Sequence, residues 1–259
     1  MTAQQTHQKI LASLALAGQV AMNQVPGDKV LGEQTEAEVL QKEILQTEHA
    51  EILAKLTAHV NSPAGHLERE TELYLEQQLS EMLGFAVRAE LEGQRLNHTI
   101  GVMGAEQHLL RFPGDQLSDH DAYLEAGIAP NRGAFGWFTD NGQLTAKSIQ
   151  MEKYYFAVQL MYLPNWNSEH PQLKPWYKFR KMIVFNPAEK LAVVGVVGDA
   201  GPAMWVQKQF GGSPEIIREG KIWSPAAKGK VMLLFVDDPE DQVPLGPIDL
   251  DFEKLYESS

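Results

Sequence analysis

Residues Lys190–Pro202 read KLAVVGVVGDAGP, an apolar run that ends in an acidic turn. β-Branched residues bounded by glycine and proline are typical of a buried strand that comes to the surface at its end. Asp199 follows the run directly, at the point where the strand passes into a loop, and such points often carry functional side chains. This position makes Asp199 the first candidate for a functional residue.

The composition excludes several classes of protein. With 259 residues, of which 44% are hydrophobic, the chain is long enough to bury a core and is not a disordered protein. The formal net charge of -12 argues against nucleic acid as a partner, because that binding requires clustered lysine and arginine. The chain has no cysteine, so disulfides, zinc–thiolate sites and a cysteine nucleophile are excluded.

Two features of the sequence bear on the cellular location of the protein. No apolar run approaches the roughly 18 to 20 residues of a membrane-spanning helix, so no integral membrane segment is expected. The segment Ile10–Gly18 follows Lys9 and precedes small residues, which is the order of a secretory signal, with an amphipathic first helix as the alternative. We therefore expect a secreted or cell-envelope protein, with a cytoplasmic location as the alternative.

The first part of the chain has a helical pattern. Apolar residues recur at helical intervals up to Val60, and a second periodic segment, Leu67–Leu83, stops at Gly84 in the position of a C-cap. Residues 34–84 are therefore predicted to form a helical hairpin. Residues 1–33 before it are expected to be a signal or a flexible N-terminus.

After Gly84 the pattern changes to short alternating runs, which predict strands. Residues 85–130 predict a β-hairpin and connecting loops, residues 131–238 a series of strands, and residues 239–259 an acidic C-terminal tail. Several short strands with few helices favour a barrel or a sandwich. The predicted fold class is α+β, with a mainly β C-terminal domain. Its predicted strands are Ala134–Phe138, Lys153–Tyr162, Lys181–Phe185, Leu191–Val197 and Lys230–Val236.

Four segments followed by a closing apolar strand resemble the double-psi β-barrel domains: Gly133–Phe138, Asn186-Pro187, Val193–Pro202 and Phe210–Glu215. These are the barrels of the rare lipoprotein A group of lytic transglycosylases, of barwin and of the expansins. The resemblance covers about residues 131–238, and its most specific part is Asp-x-Gly-Pro after an apolar strand. It implies a six-stranded, double-psi-like barrel.

The chain also departs from the pattern of those domains. Ala200 stands where they usually have arginine, and Pro164–Trp176 is an insertion. Phe210–Ile216 replaces the Ile-Asp-Leu-Ser segment that is expected after the Gly-Pro turn. Only Asp199 is therefore carried over as a functional residue.

The resemblance implies a groove for a polysaccharide, usually peptidoglycan or plant cell wall, in which Asp199 acts as an acid or binds sugar hydroxyls. Glycosidic cleavage needs a carboxyl that stays protonated near neutral pH. A two-carboxylate hydrolase needs a second acidic residue, for which Glu152 and Asp140 are the candidates. A lytic transglycosylase needs one acid/base residue, because the substrate's own hydroxyl is the nucleophile, and that class fits a lone Asp199 better. The alternative is that Asp199 caps its own turn.

Aromatic side chains are the other ingredient of a sugar site, since their flat faces stack on sugar rings. All five tryptophans of the chain lie after residue 130. An aromatic-rich β-domain core would produce the same clustering. Pro- and Asn-rich surroundings predict a loop for two of the candidates, Trp166 and Trp176. The full set of expected substrate-binding residues is Trp137, Tyr154, Trp166, Trp176 and Trp205.

Histidines form a separate group of candidates. His98, His108 and His120, with Glu106 and Asp121, could supply imidazole and carboxylate ligands to a metal. Their spacing matches no metal-binding motif that has a known physical basis. The three histidines are therefore interpreted as ordinary loop and core residues. No metal site and no cofactor is expected, and whether the three histidines converge in the fold is left open.

Together these patterns favour a cell-envelope protein that acts on peptidoglycan or a related glycan. If the protein is an enzyme, the expected reaction is cleavage of the glycan strand with Asp199 as acid/base, in the manner of a lytic transglycosylase. The alternative is a non-catalytic glycan-binding or scaffold module. The sequence does not decide between the two, nor does it give the oligomeric state.

Overall fold

The computed structural model describes residues 36–120, 126–222 and 228–257. The chain divides into two units, Met1–Lys42 and Glu43–Ser259, and the barrel described below lies in the second. The predicted signal or flexible N-terminus, residues 1–33, lies outside the described residues. Within the described ranges, no helix is long and apolar enough to cross a membrane.

The described residues form six α-helices and ten strands. The helices are α1 (Glu36–Val60), α2 (Arg69–Leu83), α3 (Ala146–Lys153), α4 (Trp166–Tyr177), α5 (Pro214–Glu219) and α6 (Phe252–Glu257). The strands are β1 (Ala86–Arg88), β2 (Glu90–Leu91), β3 (Gln94–Arg95), β4 (Ile100–Ala105), β5 (Tyr155–Val158), β6 (Lys181–Asn186), β7 (Leu191–Asp199), β8 (Phe210–Gly212), β9 (Lys228–Asp237) and β10 (Gly246–Asp249).

Six of these strands close into a barrel in the order β9, β4, β8, β5, β7, β6 and back to β9. The pairs β4 with β8 and β5 with β7 are parallel, and the other four pairs are antiparallel. β1 extends the sheet beyond β9, and β10 pairs with β7. The predicted α+β class, with N-terminal helices followed by a six-stranded barrel, is confirmed.

The strand β7 lies at the centre of this sheet, and its residues Ala192–Gly198 are all buried. Val194 pairs with both β6 and β10, so these two strands lie on opposite edges of β7. Val196 pairs with both β6 and β5, so β5 shares an edge of β7 with β10. Both faces and both edges of β7 are covered. Its sequence is therefore almost entirely apolar, and this apolar run is what predicted the strand.

Alternate residues of β7 point into two different cores, as the two-residue period of a strand requires. Val193 and Val197 belong to the core inside the barrel, to which all six barrel strands contribute. Ala192 and Val194 belong to a second core on the outside of the barrel, where α1 and α2 pack. Helix α2 ends as the sequence predicted, because Gly84 adopts a left-handed conformation with φ of 76° and donates its N–H to the Ser80 carbonyl.

Two predicted strands differ from the structure. Residues Ala134–Phe138 form a loop, in which Gly136 has φ of 89° and the Ala134 N–H bonds to a side chain instead of a neighbouring strand. The predicted strand Lys153–Tyr162 is reduced to β5, because Lys153 still belongs to α3. Thr145 caps that helix by accepting the Ser148 N–H, so the helix occupies the residues just before the strand.

The predicted loop around Trp166 and Trp176 is the helix α4, despite Pro171 and Pro175 inside it. Each proline removes one helical hydrogen bond, which is why the composition indicated a loop. The side chains of Trp166, Leu173 and Tyr177 are nevertheless buried in the barrel core. Their packing outweighs the weak local preference, since tertiary burial supplies most helical stability in proteins.

The barrel also takes a strand from the region where hairpin and loops were predicted. β4 lies within residues 85–130, and its Gly101 and Gly104 are part of why the pattern there did not indicate a strand. Similarly, β10 lies within the predicted acidic tail, residues 239–259.

Glycines in β7 allow β5 to lie very close to it. A Cβ added at Gly198 would lie 2.7 Å from the Tyr155 Cβ, and one added at Gly195 would collide with the Tyr154 carbonyl. The parallel pair therefore depends on the absence of side chains at these two positions.

We predict that Gly198→Ala destabilises the protein by about 1 to 3 kcal/mol, because β5 or Tyr155 must shift to admit the methyl group. Chemical unfolding monitored by circular dichroism measures the change. Gly201→Ala is the matched control, since an added Cβ there meets no atom within 4 Å. Equal destabilisation by both variants would contradict the proposed close contact.

Candidate functional site

The turn after β7 is organised by the Asp199 carboxylate. Its Oδ1 atom accepts hydrogen bonds from the Ala134 N–H at 2.8 Å and the Ala200 N–H at 2.9 Å. Asp199 thus closes its own turn and also fixes the loop that begins at Gly133. That loop lies close to the strand, because a Cβ at Gly133 would be 3.0 Å from the Gly198 carbonyl oxygen.

The Asp199 side chain is only half-buried, and its second oxygen is not used in this arrangement. Within the described residues, Oδ2 accepts no hydrogen bond. Both roles considered from the sequence are therefore compatible with the geometry, since Oδ1 caps the turn while Oδ2 is left for a ligand.

A second group of polar residues, His108, His120 and Glu152, lies buried beside α3. Glu152 is on the last turn of that helix, and its Oε1 accepts the Leu109 N–H at 2.9 Å. The Nδ1 atom of His120 lies 3.1 Å from Glu152 Oε2, and the Nδ1 atom of His108 lies 3.4 Å from Glu152 Oε1. Two of the three histidines named from the sequence thus converge, and they converge on a carboxylate that was expected to serve as a catalytic residue.

The group continues through His120 to a buried ion pair. The Nε2 atom of His120 lies 3.1 Å from Asp115 Oδ2. Arg111 holds the Asp115 carboxylate with its Nε at 2.9 Å, its Nη2 at 2.7 Å and its backbone N–H at 2.8 Å. We call the five residues Arg111, Asp115, His120, Glu152 and His108 the buried network.

The charged groups of the buried network stabilise one another in their ionised forms. Burial by itself raises the pKa of the Glu152 carboxyl, but hydrogen bonds and charge from His108 and His120 outweigh it, and the pKa is lowered. Burial likewise raises the pKa of Asp115, and the contacts with Arg111 reverse the shift and lower it. The pKa of His120 is raised, because its bond to Glu152 and the nearby carboxylates outweigh the effect of burial. A lowered pKa suits Glu152 to act as a base or ligand better than as an acid near neutral pH.

Tyr155 contacts both the strand that ends at Asp199 and the loop that carries His108. Its hydroxyl donates to the Gln107 carbonyl, and its ring carbons lie against Gly198. Burial raises the pKa of Tyr155, and the charges of Glu152 and Asp199, among others, raise it further. Both carboxylates therefore lie within electrostatic range of the same phenol.

Comparisons of the chain with protein-family models, with curated proteins and with solved structures find no match. The site is therefore interpreted from its own geometry.

The remaining carboxylate candidate lies in a tight turn. The backbone groups of Asp140 and Gln143 bond to each other at 2.9 and 2.8 Å, and Asp140 Oδ1 accepts the Asn141 side-chain amide at 3.1 Å. Across the described ranges, no hydrogen bond joins Asp140 to Asp199 or Glu152. Its role as a second carboxylate stays a prediction.

The aromatic candidates divide into exposed and buried groups. Trp205 is 80% exposed, in a short 3-10 turn that follows Pro202, with Met204 and Val206 exposed on either side. Trp137 is half-buried in the loop held by Asp199, 5.7 Å from the Arg132 guanidinium. These two tryptophans are the aromatic candidates nearest to Asp199 along the loops that it joins.

The other three aromatic candidates are engaged with the protein. Tyr154 is buried and donates to Glu219 Oε2 at 2.7 Å, and Trp166 is buried in the barrel core. Trp176 donates to Glu92 Oε2 at 2.7 Å, and the Arg180 guanidinium lies 4.2 Å from the centre of its ring.

The histidine and acidic residues named with His108 and His120 lie elsewhere. His98 packs edge-on against Phe210, and Glu106 pairs with Lys208 at 2.8 Å. Asp121 lies outside the described residues. The sequence did not identify Arg111 and Asp115, for which the available signal is a complementary pair four residues apart in a turn-rich loop.

We predict that Asp115→Asn destabilises the protein by about 3 kcal/mol or more, because it leaves the buried Arg111 and His120 without their carboxylate. Urea unfolding of the variant measures the loss. Asp119→Asn, the same change at an exposed position of the same loop, is expected to have little effect. Similar unfolding curves for the two variants would show that the buried charges are not interdependent.

Proposed function

We propose that the barrel binds a glycan, peptidoglycan or a related polysaccharide, at the turn after β7, and cleaves it with Asp199 as the acid/base residue. The observation that carries the proposal is the half-buried Asp199 carboxylate, which has one oxygen fixed by two backbone amides and the other uncommitted. An exposed tryptophan, Trp205, follows it six residues later in the sequence. Flat aromatic faces pack against the apolar parts of a ligand, and a small number of fixed polar groups set its orientation in a binding site.

The architecture is consistent with this proposal. The closed six-stranded mixed barrel is compatible with the double-psi fold, and Asp199 comes from the Asp-x-Gly-Pro segment that resembles those domains. A relationship to the lytic transglycosylases, barwin or the expansins is part of the proposal.

The exposure of Trp205 supports binding at this turn. Three consecutive apolar side chains, Met204–Val206, are exposed on one 3-10 turn. Grouped exposed apolar side chains mark interaction sites more often than single ones do. We propose that Trp205 stacks on a sugar ring and that Trp137 contributes to the same binding surface.

A single acid/base residue suffices for cleavage of the lytic transglycosylase type. In that reaction, Asp199 gives a proton to the glycosidic oxygen as the bond to the anomeric carbon breaks. A hydroxyl of the same sugar then closes on that carbon and returns its proton to the carboxylate. The uncommitted Oδ2 is the atom we assign to both proton transfers. Glu152 is not required in this scheme, which agrees with its engagement by His108 and His120.

The second candidate function is binding without cleavage. It is favoured by the two backbone amides on Asp199 Oδ1, which give the carboxylate a structural role that does not depend on catalysis. Either function on peptidoglycan places the protein in the cell envelope or outside the cell, which is part of the same proposal.

We predict that wild-type protein releases anhydro-muropeptides from peptidoglycan sacculi, detected by liquid chromatography and mass spectrometry. Asp199→Asn should lower the rate by about 100- to 10,000-fold, the usual contribution of an acid/base residue. Asparagine keeps the Oδ1 acceptor for Ala134 and Ala200, so the turn should be preserved. Asp119→Asn serves as the matched control and should retain activity.

Sedimentation with insoluble sacculi separates the two functions. If wild type binds without releasing product, and Trp205→Ala abolishes binding, the protein is a binding module. The proposal is rejected if wild type neither binds nor cleaves, or if Asp199→Asn and Trp205→Ala both behave as wild type does.

A further inference from the structure

We propose that His108, His120 and Glu152 bind a divalent transition-metal ion, with Zn²⁺ as the reference ion. This site is separate from the Asp199 turn, so it stands whether or not the protein acts on glycans. Among the described residues, these three form a group whose potential ligand atoms all lie within 4.8 Å of one another.

Two of the separations between the potential ligand atoms are close to those at a metal ion of this size. Tetrahedral Zn²⁺ with bonds of about 2.0 to 2.1 Å holds its ligand atoms about 3.3 Å apart. The Nδ1 atoms of His108 and His120 lie 3.4 and 3.1 Å from the two oxygens of Glu152. The three ligand atoms together spread over as much as 4.8 Å, so binding an ion would require the side chains to draw together by up to about 1.5 Å at the widest separation.

The surroundings of His120 favour coordination through Nδ1. Its other ring nitrogen, Nε2, faces the Asp115 carboxylate at 3.1 Å. Metal-bound histidines almost always donate their second ring N–H to a carboxylate, a carbonyl or a water, which fixes the tautomer and the ring orientation. Arg111 holds Asp115 in turn, so the supporting residue is itself immobilised.

The identity and number of the ligands indicate the class of metal. Two imidazoles and one carboxylate suit Zn²⁺, Fe²⁺ and related ions better than Mg²⁺ or Ca²⁺, which prefer oxygen ligands. Three protein ligands leave at least one coordination position for water or substrate, as in catalytic zinc sites. The same three side chains come from separate segments of the chain, so an ion would also link α3 to the loop that follows β4.

Without metal, His120 hydrogen-bonds to Glu152 and the His108 Nδ1 atom lies 3.4 Å from the same carboxylate, so the experiment must distinguish this state from the metal-bound one. Protein without a histidine tag is stripped with a chelator and dialysed. Zn²⁺ is then supplied either to the folded protein or during refolding, because the cluster is buried. Elemental analysis after gel filtration should give one zinc per chain, and the unfolding temperature should rise with zinc.

Variants test whether these residues are the ligands. His108→Ala and Glu152→Gln should lose the bound zinc, whereas His170→Ala, a change at an exposed histidine on α4, should retain it. Co²⁺ bound to wild type in place of Zn²⁺ should give the strong visible absorption of a tetrahedral site, and this absorption should be absent from the same two variants.

A measurement on wild type alone covers the case in which the variants fail to fold. Zinc should shift the ring-nitrogen NMR signals of two of the eight histidines and leave the other six unchanged. The proposal is overturned if wild type retains no zinc by either route of addition. It is also overturned if folded His108→Ala and Glu152→Gln retain zinc as wild type does, or if the shifted signals belong to other histidines.

Discussion

The parallel contact between β5 and β7 is the interaction on which both the barrel and the candidate site depend. Gly195 and Gly198 let the two backbones approach closely, and β5 then joins β7 to β8, which completes the ring. The same contact brings the end of α3, directly before β5, alongside the end of β7. Glu152 on α3 and Asp199 at the end of β7 are 47 positions apart in the sequence, and the negative charge of each contributes to raising the pKa of Tyr155.

The elements that the sequence predicts are those with a regular pattern of buried residues. β7 is recognisable because every residue from Ala192 to Gly198 is buried, and α2 because its periodicity ends at a glycine that must be left-handed. β4 and β8 contain two glycines each, and β8 has only three residues, so their membership in the barrel is determined by pairing with distant strands. α4 shows the opposite case, in which long-range burial overrides two prolines.

The candidate site is predictable to the same limited extent. Asp199 could be identified from one stretch, because its position at a strand end is a local property. The buried network could not, because His108, His120 and Glu152 meet only when the loop after β4 packs against α3. The histidines and carboxylates can be read from the sequence. The position of His120, which contacts Asp115 on one side and Glu152 on the other, depends on the tertiary fold.

The pairing of β10 with β7 affects how the barrel is protected from other chains. β5 covers one edge of β7 from Val196 to Asp199, and β10 covers the same edge from Leu191 to Val194. An uncovered edge of an apolar, β-branched strand is a template for association with a second chain. β10 follows all six barrel strands along the polypeptide, so the barrel strands by themselves leave this part of the edge unpaired until β10 docks. Docking of β10 therefore removes an exposed strand edge with which a second chain could otherwise pair.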